Sequence, residues 1–194
     1  MTAPLVTLLS RDEAAPEAQA VLDAGHALYG KHLNTWRALA QRPEIFVAYL
    51  PYLRSVAGPG VLDQRLKELV QVRVVVLNHC LYSTSHRVRS AKAAGVAEDD
   101  VVAAARGESA DAREQLALEL AEVLTLVPPA VAYSDEPQLA PPEMLERLRA
   151  AFSEPEIVEL VAAISLWNAL ARFHRVMGFE LDMDPPPDSV AALL

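Results

Sequence analysis

Two stretches of the chain are apolar on more than one helical side. One is Leu69 to Leu77, with Val70, Val72, Val74, Val75 and Val76 inside it. The other is Ile157 to Met177, with Leu160, Val161, Ile164, Leu166, Trp167, Leu170, Phe173 and Val176. A helix that is apolar all round must be covered on all sides. Both are therefore predicted at the centre of a bundle, or shared with a second subunit. Val72 to Leu77 has strand propensity, but it follows directly on the strongly helical Gln64-Arg65-Leu66-Lys67-Glu68-Leu69. One long helix is the consistent reading, and no Asn-Gly or Asp-Gly pair signals a hairpin.

Proline and glycine mark where the helices start and stop. The first is predicted from Pro16 to Tyr29, with Gly30 as its stop. A short one covers Thr35 to Gln41, and Pro43 opens the next, which ends before Gly58-Pro59-Gly60. Asp63 is the expected N-cap of a helix running to Asn78. Leu81 to Ala94 follows, closed by Gly95 at the position after the cap. Then come Glu98 to Arg106 and Asp111 to Leu126. Residues 128–142 hold five prolines and read as a loop. Glu143 to Phe152 is short, and Ser153 caps the last long helix, to Met177. The expected fold is an all-α bundle of six to eight helices, in one domain over residues 1–181. A Pro-rich tail, 182–194, is expected to fray or to reach over a neighbour.

Composition narrows the function classes. The 194 residues carry 26 acidic and 17 basic side chains, a net charge of −9. Such a chain is unsuited to holding a phosphate backbone, which needs clustered Lys and Arg, so no nucleic-acid partner is expected. The apolar share, 52%, excludes a disordered chain and favours a homo-oligomer. Uninterrupted uncharged stretches reach about a dozen residues, short of the ~20 needed to span a bilayer, and no membrane partner is expected. Met1 to Ser10 lack the basic start of a secretory leader. With a single cysteine, Cys80, there is no intrachain disulfide and no Cys-based zinc site. These features point to the cytoplasm.

Chemistry concentrates in one segment, from Glu68 to Arg87. Cys80, Ser83 and Arg87 lie at i, i+3 and i+7, one face of a helix. If a new helix starts after Asn78, Cys80 stands at its N-terminus, where unpaired N–H groups and the macrodipole favour a thiolate. His86 lies one step round from Arg87, and His79 directly precedes Cys80. On one straight helix Glu68 and Cys80 would be about 18 Å apart, so they can meet only if the chain folds back. The bland readings are a buried Cys80, a Glu68 paired with Lys67, Arg65 or Arg73, and a solvated Arg87, Arg89 and Lys92 face. His174 shares a face with Trp167 and reads as a hydrogen-bonded core histidine or a pocket residue. Trp36, Phe46, Tyr49 and Tyr52 read as core or as an apolar pocket wall.

The segment resembles the carboxymuconolactone decarboxylase-like superfamily, in its alkyl hydroperoxide reductase D-like branch. That family carries a Glu, a Cys-x-x-Cys twelve residues on, and a His seven residues after the first Cys. Glu68 and Cys80 match the Glu and first Cys, and Tyr82 matches a frequent tyrosine within the motif. Ala91 to Gly95 matches the end of the motif helix, Trp36 to Pro43 the entry segment, and Trp167 to Phe173 the closing helix. The likeness covers roughly residues 10 to 180. Two positions depart: Ser83 replaces the second Cys, and Arg87 replaces the His.

The resemblance implies an enzyme without metal or other cofactor, assembled as a dimer, trimer or hexamer. It implies peroxidase-like thiol chemistry at Cys80 on a hydroperoxide. Glu68 and His86 would relay protons, Ser83 would donate to the sulfur, and an external thiol would act as reductant, since no second cysteine can close a disulfide. Tyr82, Arg87 and His79 would contact substrate. The family's decarboxylase branch implies an alternative, cofactor-free acid–base chemistry on a small organic acid or lactone, with Arg87 pairing with a substrate carboxylate. A third reading is a non-catalytic member that keeps only the fold.

Overall fold

The structure is a computed structural model, and it describes residues 3–127 and 139–194. Most of the predicted Pro-rich loop, 128–138, lies outside the described residues. Among these there are ten helices, eight of them long, and no strand. They are α1 (Pro16–Tyr29), α2 (Asn34–Leu39), α3 (Pro43–Ala57), α4 (Gln64–Leu77), α5 (Leu81–Ala93), α6 (Glu98–Arg106), α7 (Ala112–Thr125), α8 (Pro142–Ala151), α9 (Glu154–Met177) and α10 (Asp188–Ala191).

Local signals fix most ends. Asp63 accepts the Leu66 N–H at the start of α4, and Asp111 accepts those of Arg113 and Glu114 at the start of α7. Ser153 and Glu156 form a reciprocal capping box at the start of α9. Gly30, Gly107 and Gly178 close α1, α6 and α9 in the left-handed conformation. Of the two stretches apolar all round, Leu69 to Leu77 is covered as predicted, whereas Ile157 to Met177 is covered on one side and leaves Val161 and Val176 exposed. α4 is the central rod, with α5, α6, α7 and α9 packed around it. α9 lies against α3, α4, α5 and α7. By length and composition α9 could cross a membrane, with a mean hydropathy of 1.2 over its most apolar window, but half of that window is buried inside the bundle. A smaller apolar cluster, built on Leu22, Trp36, Phe46 and Leu50, ties α1, α2 and α3 together.

The turn from α4 to α5 is tight. The Cys80 N–H bonds to the Val75 carbonyl and the His79 N–H to the Val76 carbonyl. That pair of bonds is a Schellman motif. The residue it needs in the left-handed region is usually glycine; here it is His79, with φ 50°. The reversal folds α5 back along α4.

The tail does not fray from the bundle. Met183 and Val190 are buried, α10 packs on α6, and His79 Nδ1 lies 2.8 Å from the Leu194 carbonyl oxygen. Residues 182–194 therefore lie against the domain that was expected to end at 181. Phe179 and Leu181, just before them, pack against Cys80, Tyr82 and Ala171.

One buried ion pair locks the approach to α4. The Lys67 side chain is fully buried, donates to the Gly58 carbonyl, and pairs with Glu159 of α9. The Glu159 carboxylate also accepts the Val61 and Leu62 N–H groups. Removing one member of such a pair strands the other charge in low dielectric. Glu159→Ala is expected to cost about 3–5 kcal/mol, read as a lower urea midpoint at an unchanged slope. Adding Lys67→Met should recover much of that loss, because no charge is then left buried.

Candidate active site

Cys80 is the N-cap residue of α5. Its sulfur accepts the Ser83 N–H at 3.4 Å and lies 3.0 Å from Ser83 Oγ. Cys80 is 2% exposed and lies in a cluster with Tyr82 and Ala171, against which Phe179 and Leu181 pack. Ser83 Oγ is 2.7 Å from Nδ1 of His174, in the last turn of α9. His174 Nε2 is 3.0 Å from Thr35 Oγ1 of α2. The Thr35 hydroxyl and N–H both reach the Tyr82 oxygen, and the Tyr82 hydroxyl donates to Asp182 Oδ2 at 2.6 Å. Asp182 also accepts the Asn34 N–H, and its other oxygen lies 2.6 Å from His86 Nε2.

The environment fixes several protonation states. Burial pushes His174 down to about 3; the charges of His86 and Arg87 add to that shift, and Asp182 opposes it. His174 is thus neutral at physiological pH, accepting at one ring nitrogen and donating at the other. Burial pulls the Asp182 carboxyl upward, but the bonds from His86, Tyr82 and Asn34 outweigh it and hold the group below the usual range. Burial, and next the Asp182 charge, push the Tyr82 phenol well above its ordinary value.

Glu68 is elsewhere. Its Oε1 accepts from Gln64 and from Ser90 Oγ, and its Oε2 lies 3.7 Å from Arg87 Nη1. The expected grouping of Glu68, Cys80 and His86 is not formed. The reason is the register of the α4–α5 hairpin. Glu68 faces Ser90, and Gln71 accepts from Arg87 at 2.7 Å; both pairs are centred on His79. Glu68 is thus opposite a residue ten positions beyond Cys80, about 15 Å along the helix. His86 points to Asp182 instead of sulfur. Arg87 is not on a solvated face: its side chain is 13% exposed and its guanidinium stacks 4.1 Å from the Trp167 ring centre. Burial lowers the Arg87 pKa, with Glu68 opposing. His79 is exposed and engages the chain terminus, outside the cavity wall.

A cavity of about 380 Å³ separates the α1–α3 cluster from α5 and α9. Trp36, Tyr49, Tyr82, Trp167, Leu50 and Leu170 form much of its wall; Thr35, His86, Arg87, Ser90 and His174 supply polar groups. Phe46 is core, and Tyr52 is half exposed. Gly25 of α1 leaves room for Trp36, whose ring would overlap any Cβ at that position. Neither Cys80 nor Glu68 lines the cavity. The sulfur reaches its wall through Ser83 and His174, and the carboxylate through Arg87 and Ser90. Among the described residues no three His, Cys, Asp or Glu side chains converge as a metal-ligand set.

From the sequence His174 reads only as a core or pocket residue, and neither Asp182 nor Thr35 stands out. The only available signal was a histidine on the apolar face of a long helix. Asp182 lies in a segment set apart as tail, and Thr35 in a short helix with no motif.

Residues 43–125 match the carboxymuconolactone decarboxylase family. By that match and its fold, the chain is similar to the carboxymuconolactone decarboxylase-like, alkyl hydroperoxide reductase D-like proteins. An uncharacterized protein of Bacillus subtilis strain 168, YdfG, is 27% identical over 120 residues, which are 60% of this chain and 76% of YdfG. Two solved structures share the fold. A peroxidase-related protein from Ralstonia eutropha JMP134, described as an alkylhydroperoxidase AhpD core, superposes with a TM-score of 0.74 at 17% identity, covering 98% of this chain and 96% of that one. The debrominase Bmp8 without ligand superposes with a TM-score of 0.77 at 21% identity, covering 98% of each chain. A cysteine-to-alanine variant of the same debrominase is known in complex with 2,3,4-tribromopyrrole.

The neutral burial of His174 sets a pH dependence. Between about pH 6.5 and 3 the unfolded chain binds a proton there that the folded chain does not. Stability from this group is therefore complete above pH 6.5 and falls as pH drops, by about 1.4 kcal/mol per unit. Urea unfolding across this range should lose stability at least that steeply, because the lowered carboxyls of Asp182, Glu156 and Glu159 add loss of the same sign, and His174→Gln should lessen the slope.

Proposed function

We propose that this chain is a thiol-dependent oxidoreductase of the alkylhydroperoxidase type, with Cys80 as the reacting sulfur and Ser83 with His174 as its proton relay. The observation that carries this reading is the bonded series from Cys80 through Ser83 to His174, a buried neutral imidazole at the edge of an apolar cavity. A thiol needs a base to become a nucleophile. Nδ1 of His174 is the acceptor in reach, through one hydroxyl, and a ring of such low basicity takes the proton only in concert with attack by the sulfur.

The chemistry balances with an external thiol. Cys80 gives up its proton, and the sulfur lone pair attacks the terminal peroxide oxygen. The O–O bond breaks, an S–O bond forms, and the alkoxide leaves and takes up the proton as an alcohol. Cys80 becomes a sulfenic acid, oxidised by two electrons, and the peroxide is reduced by two. One external thiol displaces water to form a mixed disulfide; a second releases the external disulfide and restores Cys80. Cys80 is buried, in a cluster against which Phe179 and Leu181 pack, so attack requires that packing to loosen. The aromatic and leucine wall favours a hydroperoxide with an apolar body, and a neighbouring fold that handles a compact bromopyrrole is in keeping with such a substrate.

A second reading has one observation in its favour. Glu68 Oε2 is buried without a hydrogen-bond partner and sits 3.7 Å from Arg87, which lines the cavity. That pair suits acid–base work on a small carboxylate, as in the decarboxylase branch of the family. The two readings separate in one experiment. Cumene hydroperoxide should generate a Cys80 sulfenic acid that dimedone traps and mass spectrometry locates. Cys80→Ala should abolish thiol-dependent peroxide consumption, while Glu68→Gln keeps most of it. No trapped Cys80 at a modest excess of peroxide, or activity that survives Cys80→Ala and dies with Glu68→Gln, would reject the thiol mechanism.

A further inference from the structure

We infer that Asp182 is a positioning residue for Cys80, acting through a one-way hydrogen-bond chain that holds His174 as its Nε2–H tautomer. The direction of every proton follows from the far end. The Asp182 carboxylate can only accept, so Tyr82 spends its hydroxyl proton on Oδ2. The Tyr82 oxygen then accepts from the Thr35 N–H and from the Thr35 hydroxyl. With that proton committed, Thr35 Oγ1 can only accept from His174 Nε2. A neutral imidazole has one N–H, so Nδ1 is bare and accepts from Ser83, whose oxygen is free to accept the Cys80 thiol proton. The imidazole is neutral because burial holds its pKa near 3.

Without the carboxylate the series can reverse. Tyr82 would donate to Thr35, Thr35 to Nε2, and the ring would carry its proton on Nδ1, where it can no longer take one from sulfur. The link to Cys80 rests on the thiol reading above; the tautomer does not. Asp182 lies on the segment that also carries Phe179 and Leu181, so the residues packed against the Cys80 cluster and the anchor of its relay are one piece of chain.

The experiment is nitrogen NMR on protein labelled with ¹⁵N-histidine, near pH 7, with the His174 tautomer read from its two ring-nitrogen shifts. Wild type should show Nε2–H. Asp182→Ala and Tyr82→Phe should both shift the population mainly to Nδ1–H. Asp182→Asn, whose amide oxygen can still accept from Tyr82, should keep Nε2–H. His86→Ala removes the other side-chain partner of Asp182 but leaves the series intact, so it too should keep Nε2–H. A flip in His86→Ala would mean a loosened segment in place of a directed chain and would overturn the inference, as would no flip in both Asp182→Ala and Tyr82→Phe. In parallel, Cys80 oxidation by cumene hydroperoxide should slow by about tenfold in the flipped variants, less than the ~100-fold or more that a full general base contributes. A flip without slower oxidation would sever Asp182 from Cys80. If wild-type Cys80 is not oxidised, the thiol reading fails, and the tautomer arms still decide the direction of the chain.

Discussion

The geometry of this protein hangs on a two-residue reversal between its most buried helix and the helix that carries the sulfur. His79 adopts a left-handed conformation that costs a non-glycine residue about 1–2 kcal/mol. Two backbone bonds to Val75 and Val76 and the packing of α5 along α4 offset it. Once the chain reverses there, register is determined. Ser90 must face Glu68, Arg87 must face Gln71, and Cys80 must stay at the closed end of the hairpin. The acid and the sulfur are thereby assigned to opposite ends of the hairpin, each behind the cavity wall.

The polar series at the closed end is assembled from four parts of the chain. Thr35 comes from α2, Tyr82 and Ser83 from α5, His174 from α9, and Asp182 from the segment after it. No two of those parts complete it alone, so it exists only when the whole bundle has closed. In a low-dielectric interior each bond is stronger than in water, and each unmet group costs more. That is why a neutral histidine and an ionised aspartate coexist there: one is deprived of solvent, the other is wrapped in donors.

Charge is distributed unevenly. The chain carries a net −9, yet no Asp or Glu is among the described residues of the cavity wall, while Arg54, His86 and Arg87 are. Arg87 occupies the place where the family pattern has a histidine. Its guanidinium is held between Trp167, Gln71 and Glu68. The replacement puts a cation where that pattern has a titratable group, and the imidazole nearest the sulfur is His174, a helix away.

The sequence by itself determined the helical class, the central rod α4, most helix ends and the family likeness, because these follow from apolar spacing, caps and a motif read in order. It also picked out Cys80, Ser83, Tyr82 and Arg87, which lie close together on one helix. Only the tertiary structure decided what each of them touches. His174 and Asp182 lie about ninety to a hundred residues from Ser83 and Tyr82 in the chain, and nothing in their local sequence announces a partner. Spacing along a chain constrains neighbours within a helix; contact between helices is set by register and packing, and those depend on every residue that fills the core between them.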